Sequence, residues 1–235
     1  MEKMRIAVLE DSAADAESVM ACLSNAGHDA YLFEDGRRLV NELAHESFDL
    51  LVLDWSVPGM DGNQVLKWVR AQAQTQHLPV LFATAHDNEL NVVVALTNGA
   101  DDYLVKPLRC AELLARIESC ARRAYAANAA KEQLVCGDWH LDRRVRTVHY
   151  KSVHIELTQK EFDLVFFLFA NSGRLLSRGH LLERVWGLMN EIPTRTLDTH
   201  ISRIRSKCVL FPENGVRLSS VYGYGYRLEL TNGGV

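Results

Sequence analysis

The sequence predicts a doubly wound α/β domain with a five-stranded parallel sheet, followed by a smaller α+β domain. Two observations lead to this prediction. In the first half of the 235-residue chain, five short apolar runs alternate with amphipathic stretches of helical period, a pattern typical of repeated strand–helix units. In the second half, short alternating runs with turn breaks are followed by helical stretches, which indicates a small antiparallel sheet accompanied by helices.

The elements of the first domain follow one another in a regular order. We predict strands at residues 5–9, 28–33, 50–53, 80–83 and 103–105. We predict helices around residues 12–25, 36–45, 65–69, 91–98 and 113–120. Since parallel strands are joined by right-handed crossovers, these helices should cover both faces of the sheet.

The character of the chain changes after residue 123. Residues 124–130, AYAANAA, are compatible with a helix but have no amphipathic pattern. We therefore predict three segments: a first domain at residues 1–123, a linker at 124–133 and a second domain at 134–235.

The second domain is predicted to contain three helices and a closing hairpin. Thr158-x-x-Glu161 is a capping box that opens the first helix, and a shorter helix covers residues 181–186. A hairpin is predicted at residues 216–228. The third helix, at residues 194–208, should face the core with four residues at helical spacing: Leu197, Ile201, Ile204 and Cys208.

Composition and charge narrow the class of protein. With 48% hydrophobic and 24% charged residues, the chain has a globular composition, and no run approaches the ~20 apolar residues of a membrane span. The N-terminal MEKMR lacks the apolar region of a signal peptide, so a cytoplasmic location is expected. Residues 1–123 carry a formal charge of −8 (11 Lys and Arg, 19 Asp and Glu), whereas residues 124–235 carry +4 (15 and 11). A basic second half permits nucleic-acid binding.

The five cysteines form no CxxC pair and have no metal-ligand spacing. This argues against a zinc site. In a cytoplasmic protein it favours reduced structural thiols at all five positions. These positions are Cys22, Cys110, Cys120, Cys136 and Cys208.

Polar side chains follow four of the predicted strands. Glu10-Asp11, Asp54, Thr84 and Lys106 each come directly after an apolar run. Ligands of open parallel sheets bind outside the carboxyl ends of the strands, so these side chains should converge. Three carboxylates suit a hard cation such as Mg²⁺, which keeps positions for water and phosphate oxygens.

The lysine and the hydroxyl complete a phosphoryl site. Lys106 would supply a fixed positive charge, and Thr84 a hydrogen bond to a phosphoryl oxygen. Asp54 is the natural nucleophile for an aspartyl phosphate.

The first domain resembles the receiver domain of two-component signalling proteins. The residues that carry this resemblance are Glu10-Asp11, Asp54 with Pro58 and Gly62, Thr84-Ala85, Gly99-Ala100-Asp101-Asp102-Tyr103 and Lys106-Pro107. The resemblance implies a flavodoxin-like fold in which Asp54 takes phosphate from a histidine kinase. It implies that Glu10, Asp11, Asp54 and the carbonyl of Ser56 organise Mg²⁺, that Thr84 and Tyr103 relay the switch, and that Lys106-Pro107 is a cis peptide.

The second domain resembles the winged helix-turn-helix effector of the OmpR/PhoB subfamily of response regulators. The matching segments are LTQKEFDLVFFLFANSGRLLSRGHLLERVWG, RTLDTHISRIRSK and VYGYGYRL. The resemblance implies that phosphates are held by Arg195, His200, Ser220 and Tyr226, that bases are faced by Asp198, Arg203 and Arg205, and that Trp186 packs beside the DNA backbone. The small hydroxyl of Thr199 would allow close approach to the major groove.

Receivers of this subfamily commonly pair through the fourth helix, fifth strand and fifth helix. The corresponding residues here are Val92, Leu96, Asp102, Glu112 and Arg116. Val92 and Thr97 stand where relatives carry charges, so we expect a weaker or more apolar interface. Such a homodimer would bind tandem half-sites on double-stranded DNA, and RNA polymerase is a further candidate partner.

We interpret the chain as a non-enzymatic transcriptional response regulator that is phosphorylated on Asp54, which promotes dimerisation and promoter binding. One alternative is a regulator of the same fold that is controlled by its abundance or by a protein partner. Another is an aspartyl-phosphate phosphatase. That chemistry usually needs a second acid two residues after the nucleophile, and residue 56 is serine.

Overall fold

The computed structural model describes residues 3–85, 89–125, 132–187 and 194–231. The chain divides into two compact units, Met1–Ala126 and Ala127–Val235. This division falls inside the segment predicted as a linker, and the bounds of the linker at residues 124–133 stay a prediction.

The first unit is the doubly wound α/β fold that the sequence predicts. Its five strands form one parallel sheet in the order β2-β1-β3-β4-β5. The strands are Arg5–Leu9 (β1), Asp29–Phe33 (β2), Leu50–Leu53 (β3), Val80–Thr84 (β4) and Asp102–Val105 (β5). The helices are Ala13–Asn25 (α1), Gly36–Leu43 (α2), Gly62–Ala71 (α3), Glu89–Thr97 (α4) and Cys110–Tyr125 (α5).

The central strands are apolar throughout because both faces of the sheet are covered. All residues of β1, β3 and β4 are buried. Alternate strand residues belong to two cores: Leu51 and Leu53 pack with residues of α2 and α3, whereas Leu50 and Val52 pack with residues of α1 and α5. A continuous apolar run therefore marks a strand between two layers of helices.

Two helix starts shape the loops at the carboxyl ends of the strands. Ser12 caps α1, and its side chain accepts the N–H of Asp15. Asp61 and Gln64 form a capping box at α3. Gly62, the first residue of α3, lies so close to the end of β3 that a Cβ atom there would stand 2.1 Å from the carbonyl oxygen of Asp54. Only glycine lets α3 begin against the Asp54 loop.

The second unit combines two antiparallel sheets with three helices. A four-stranded sheet has the order β6-β7-β8-β9, and a three-stranded sheet has the order β10-β12-β11. The strands are Gln133–Cys136 (β6), Trp139–Asp142 (β7), Thr147–Tyr150 (β8), Val153–Ile155 (β9), Leu175–Ser177 (β10), Val216–Val221 (β11) and Gly225–Leu230 (β12). The helices are Gln159–Ala170 (α6), Arg178–Trp186 (α7) and Thr194–Lys207 (α8).

One apolar core joins these sheets and helices. The four residues of α8 and its C-terminus predicted to face the core are at most 1% exposed. The predicted capping box is also formed, since Thr158 accepts the N–H of Glu161 and Glu161 accepts the N–H of Thr158. Lys207 donates to Glu161 at 2.8 Å, so the buried carboxylate ties α6 to the end of α8. Although burial raises its pKa, the hydrogen bonds from Lys207 and Thr158 leave the pKa of Glu161 lowered.

Among the helices within the described ranges, none is both long and apolar enough to cross a membrane.

The prediction of five reduced thiols is wrong for two of them. Cys22 and Cys110 form a disulfide, with their Cα atoms 5.7 Å apart although 88 residues separate them in sequence. The physical reason is that α1 and α5 cover the same face of the sheet, which no local cysteine spacing reveals. Cys120, Cys136 and Cys208 are buried thiols outside this disulfide, as predicted.

This pairing predicts a thiol count of three for the unreduced, denatured chain and five after reduction. Cys22→Ser should give four free thiols without reductant, because Cys110 loses its partner. Without reductant, the variant should also be less stable to heat than wild type. A cross-link that closes a loop of this length lowers the conformational entropy of the unfolded chain, which raises its free energy by about 4–5 kcal/mol. Titration of thiols in denaturant measures the count. Five thiols in the unreduced wild type would contradict the pairing.

Candidate phosphoacceptor site and nucleic-acid interface

The order of the strands brings the predicted polar side chains to one edge of the sheet. Because β1, β3, β4 and β5 are consecutive neighbours, Glu10, Asp54, Thr84 and Lys106 all lie at the same end. The Asp54 N–H donates to the carbonyl of Leu9 at 2.9 Å, and the Lys106 N–H donates to the carbonyl of Thr84 at 2.9 Å. The strand pairing therefore continues into the site. The peptide bond between Lys106 and Pro107 is cis, as the resemblance implies.

The ammonium group of Lys106 is the centre of the site. Its Nζ lies 2.5 Å from Glu10 Oε2, 2.6 Å from Asp54 Oδ2 and 2.9 Å from Asp15 Oδ2. The side chain of Lys106 is 9% exposed, and those of Glu10 and Asp54 are 3% and 9% exposed. Three carboxylates are thus held around one nearly buried cation, which limits the repulsion between them.

The pKa values of Lys106 and Glu10 are both raised, although burial acts on the two groups in opposite directions. Burial alone lowers the pKa of Lys106, but hydrogen bonds to Asp54, Glu10 and Asp15 raise it well above its ordinary value. Burial raises the pKa of Glu10, and the hydrogen bond from Lys106 only partly offsets that effect. Lys106 is therefore a permanent positive charge at neutral pH.

Three of the four predicted metal ligands converge. One carboxylate oxygen from each of Glu10, Asp11 and Asp54 lies within 4.8 Å of the others. Asp11 is exposed, so the cluster opens to solvent. A hard cation that takes carboxylate oxygens and keeps water ligands fits this set. Asp54 Oδ1 also accepts the N–H of Ser56 at 3.3 Å, which orients the carboxylate.

The two predicted switch residues lie inside the unit beside this site. Thr84 is fully buried at the end of β4, and Tyr103 on β5 is 9% exposed. The ring of Tyr103 stacks on Phe82 with centroids 6.2 Å apart, and Phe82 contacts Trp55 at 5.4 Å. A row of aromatic rings therefore connects β5 with the residue after Asp54. The switch role of Thr84 and Tyr103 stays a prediction.

Sequence reasoning missed Asp15. This residue occupies the first turn of α1, four residues after Asp11, and its carboxylate contacts Lys106. Asp15 lies on α1 and Lys106 follows β5, so their contact depends on how two distant elements pack and had no local signal in the sequence.

The exposed face of α8 has the composition predicted for a groove-binding helix. Its core-facing residues are buried, whereas five polar residues on the opposite side are exposed. These are Arg195, Thr199, Ser202, Arg203 and Ser206. Arg203 projects from a face of small hydroxyl side chains, which allows a helix to approach DNA closely.

Neighbouring elements support the start of α8. Trp186, at the end of α7, packs against His200 with ring centroids 5.1 Å apart. Tyr226 on β12 donates to Asp198 at 2.5 Å, and Arg178 covers the ring of Tyr226. Burial and the bond to Asp198 raise the pKa of Tyr226 to about 12. Asp198 is therefore bonded within the unit, and its predicted base contact stays a prediction.

Two of the predicted DNA contacts, Arg205 and Ser220, lie at or beside β11. The guanidinium of Arg205 donates to the carbonyl of Leu218 at 2.9 and 3.2 Å, so it must leave β11 before it can face a base. Ser220 is exposed on β11 opposite Tyr226. At the tip of this hairpin, Tyr222 is fully exposed.

The predicted dimer surface is more apolar than charged. On α4, Val93 and Leu96 are 52% and 47% exposed, whereas Val92 is partly buried against the core. The charged members are paired within the chain: Arg116 donates to Asp102 at 3.1 and 3.2 Å and to Glu112 at 3.2 Å.

A doubly wound sheet with a lysine-centred acid cluster, in one chain with a winged helix-turn-helix unit, is the architecture of DNA-binding response regulators. Residues 6–118 match the family model described as response regulator receiver domain. Residues 152–228 match the model described as transcriptional regulatory protein, C terminal. The chain belongs to the OmpR/PhoB response regulators of two-component systems, and both domain resemblances drawn from its motifs are confirmed.

Similar proteins cover nearly the whole chain. The sensory transduction protein RegX3 of Mycolicibacterium smegmatis is 39% identical over 227 residues, which are 95% of this chain and 98% of that protein. The phosphate regulon transcriptional regulatory protein PhoB of Rhizobium meliloti is 36% identical over 225 residues, 96% of this chain and 98% of that protein. A solved structure of response regulator DrrB, a Thermotoga maritima OmpR/PhoB homolog, has 28% identity and a TM-score of 0.47, covering 97% of this chain and 100% of that one.

The contacts of Lys106 predict a large effect on stability. Lys106→Gln should lower the free energy of unfolding of the first unit by about 3 kcal/mol in the presence of a chelator, because the nearly buried carboxylates lose their cation. Lys67→Gln, on the exposed face of α3, is the matched control and should stay within about 0.5 kcal/mol of wild type. Chemical denaturation of the three proteins measures both effects. Equal stability of Lys106→Gln and wild type would show that the lysine does not neutralise the acids.

Proposed function

We propose that this regulator acts in the cytoplasm and is switched by transfer of a phosphoryl group to Asp54 from the phosphohistidine of a histidine kinase. The observation that carries this proposal is the Lys106 ammonium, buried in contact with both Asp54 and Glu10. A buried permanent cation beside a carboxylate at the end of a strand can stabilise the additional negative charge of a phosphoryl group on that carboxylate.

The chain's own residues would position the reacting groups. Oδ1 of Asp54 accepts the Ser56 N–H, whereas Oδ2 accepts a hydrogen bond from Lys106. In the transfer, an Asp54 oxygen forms a bond to phosphorus while the bond from phosphorus to the donor nitrogen breaks. Lys106 would then balance charge on the phosphoryl oxygens, and Thr84 would supply a hydroxyl donor. Mg²⁺, held by Glu10, Asp11, Asp54 and the Ser56 carbonyl, would contribute further positive charge to those oxygens.

The proposed output is tighter binding to double-stranded DNA. Movement of Thr84 toward the phosphoryl group would change the packing of the buried Tyr103 ring, and this would alter the surface formed by α4, β5 and α5. Two receivers paired through this surface would hold two effector units on tandem half-sites, since each raises the effective concentration of the other. RNA polymerase is the proposed further partner at the promoter.

For the effector unit, we propose that Arg203 reads bases and that Arg195 binds phosphate. Both side chains are exposed on the face of α8 opposite its core residues. His200, Ser220, Tyr226 and Trp186 are the proposed further contacts to the DNA backbone. Thr199, Asp198 and Arg205 are proposed to adjoin the bases, with Arg205 released from Leu218.

The first test of this function concerns the acceptor. In the presence of Mg²⁺ and a small phosphodonor, the wild type should gain one acid-labile phosphoryl group, and Asp54→Asn should gain none because an amide oxygen is a poor nucleophile. Asp61→Asn, at the exposed cap of α3, is the control and should be labelled like wild type. Intact-protein mass spectrometry measures the added group. Equal labelling of Asp54→Asn and wild type would refute the assignment.

The second test separates base reading from phosphate binding. Arg203→Ala should lose about 1–3 kcal/mol on a specific duplex and relax the preference at one base step, whereas Arg195→Ala should weaken all duplexes alike and reduce the salt slope by about 1. Arg144→Ala, exposed on the β7–β8 turn, serves as control. Fluorescence anisotropy with specific and random duplexes measures these differences. Equal losses on both duplexes for Arg203→Ala would reverse the two roles.

The third test concerns the dimer. Leu96→Asp should prevent pairing of the phosphorylated protein, because an exposed ion pair such as Asp102–Arg116 is worth only ~0–1 kcal/mol and apolar contact must supply the rest. Val92→Asp is a less direct test, since Val92 also packs against the core. The control is Val145→Asp in the second unit, where Val145 is 63% exposed. Sedimentation with and without phosphodonor measures the mass. A wild type that stays monomeric, or a dimeric Leu96→Asp variant, would exclude this interface.

A further inference from the structure

The four-stranded sheet of the second unit carries three histidines side by side. The strand register pairs His140 on β7 with His149 on β8, and His149 with His154 on β9. Their strand neighbours Trp139 and Val148 are buried in the core. Because successive residues of a strand point to opposite faces, the three imidazoles share the outer face. His140 and His154 are exposed, and His149 is partly exposed.

The turn between β8 and β9 brings two of these histidines especially close. Lys151 and Ser152 both have positive φ angles, 47° and 65°, which is the geometry of a two-residue type I′ turn. Such a turn makes its flanking residues a hydrogen-bonded pair, so His149 and His154 form a non-hydrogen-bonded pair with Cα atoms about 4.5 Å apart. Their ring centroids are 5.2 Å apart, with the planes tilted by 57°.

The third histidine lies on the other side of His149. The Lys151 N–H donates to the Asp138 carbonyl at 3.0 Å, and this bond fixes the alternation between β7 and β8. Two residues further along, His140 and His149 form a hydrogen-bonded pair, with Cα atoms about 5.5 Å apart. His149 therefore has one imidazole on each side.

We propose that His140, His149 and His154 form a binding site for a divalent transition-metal ion of the zinc, copper or nickel type. Imidazole nitrogens suit these ions, which they bind at about 2.0–2.1 Å in the case of zinc. To bind one ion, the three rings would rotate about their side-chain bonds so that one nitrogen from each points to a common position above His149. Three histidines leave a fourth position for water.

The surrounding residues favour imidazole ligands alone. Asp142 lies on the same face two residues from His140, but its oxygens accept the N–H groups of Arg144 and Val145 and the amide of Gln133. The site thus differs in chemistry from the carboxylate cluster of the first unit, which suits hard cations. A bound ion would join β7, β8 and β9 and would stabilise the sheet that precedes α6.

The experiment is a titration of the full-length chain with Zn²⁺ by calorimetry, in excess Mg²⁺ so that the carboxylate cluster does not compete. Wild type should bind one Zn²⁺. Loss of a residue that only supports a metal ligand typically lowers metal affinity by roughly 10–100-fold, so His149→Gln, which removes a ligand, should lower the Zn²⁺ affinity by at least that factor. His154→Gln, at the end of the sheet, should show a comparable loss. His77→Gln, an exposed histidine of the first unit, is the matched control and should bind like wild type.

Thermal unfolding provides a second readout. Zn²⁺ should raise the melting temperature of wild type and of His77→Gln but not of His149→Gln or His154→Gln, since only binding to the folded state stabilises it. Without Zn²⁺ the four proteins should melt alike, which shows that the variants fold. Absence of Zn²⁺ binding by wild type, or equal Zn²⁺ affinity in wild type and both sheet variants, would overturn the proposal.

Discussion

The structure of the first unit depends on one buried ammonium group surrounded by carboxylates. Lys106 contacts Glu10, Asp15 and Asp54, which come from β1, α1 and β3 in distant parts of the sequence. Without that cation the acids would repel one another in a poorly solvated place. The strand order, the cap of α1 and the missing side chain at Gly62 all serve to bring these groups together. We propose that the charge that balances the acids also stabilises a phosphoryl group on Asp54.

The second unit meets a different constraint, because one helix is part of the core and also carries the face that we propose binds DNA. Four apolar residues fix α8 in the core, and its ends are fixed by polar contacts: Asp198 with Tyr226 near the start, and Lys207 with Glu161 at the end. These contacts leave the opposite face free of core packing. Arg203 and the small hydroxyl residues around it can therefore be presented as a rigid surface, which reduces the entropy lost on binding.

Local patterns were sufficient to predict the fold and most of the residues brought together at the site. Asp54 and Lys106 follow apolar runs, and parallel strands bring their carboxyl ends to one edge, so their proximity follows from the fold class. The contact of Asp15 depends on the exact rotation of α1, and the Cys22–Cys110 disulfide depends on which helices share a face. The alignment of His140, His149 and His154 depends on the register of three strands. Such relations between distant elements leave no local signal in the sequence.

Control of DNA occupancy by phosphate at Asp54 can be measured with a genome-wide footprint of the purified full-length protein. Wild type and Asp54→Asn would be compared on fragmented genomic DNA, each with and without phosphodonor and Mg²⁺. Under this control, phosphodonor should increase the occupancy of a defined set of paired half-sites by wild type and should leave the occupancy by Asp54→Asn unchanged. Identical footprints for wild type with and without phosphodonor, under conditions in which Asp54 is labelled, would contradict it and would favour a regulator controlled by abundance or a protein partner.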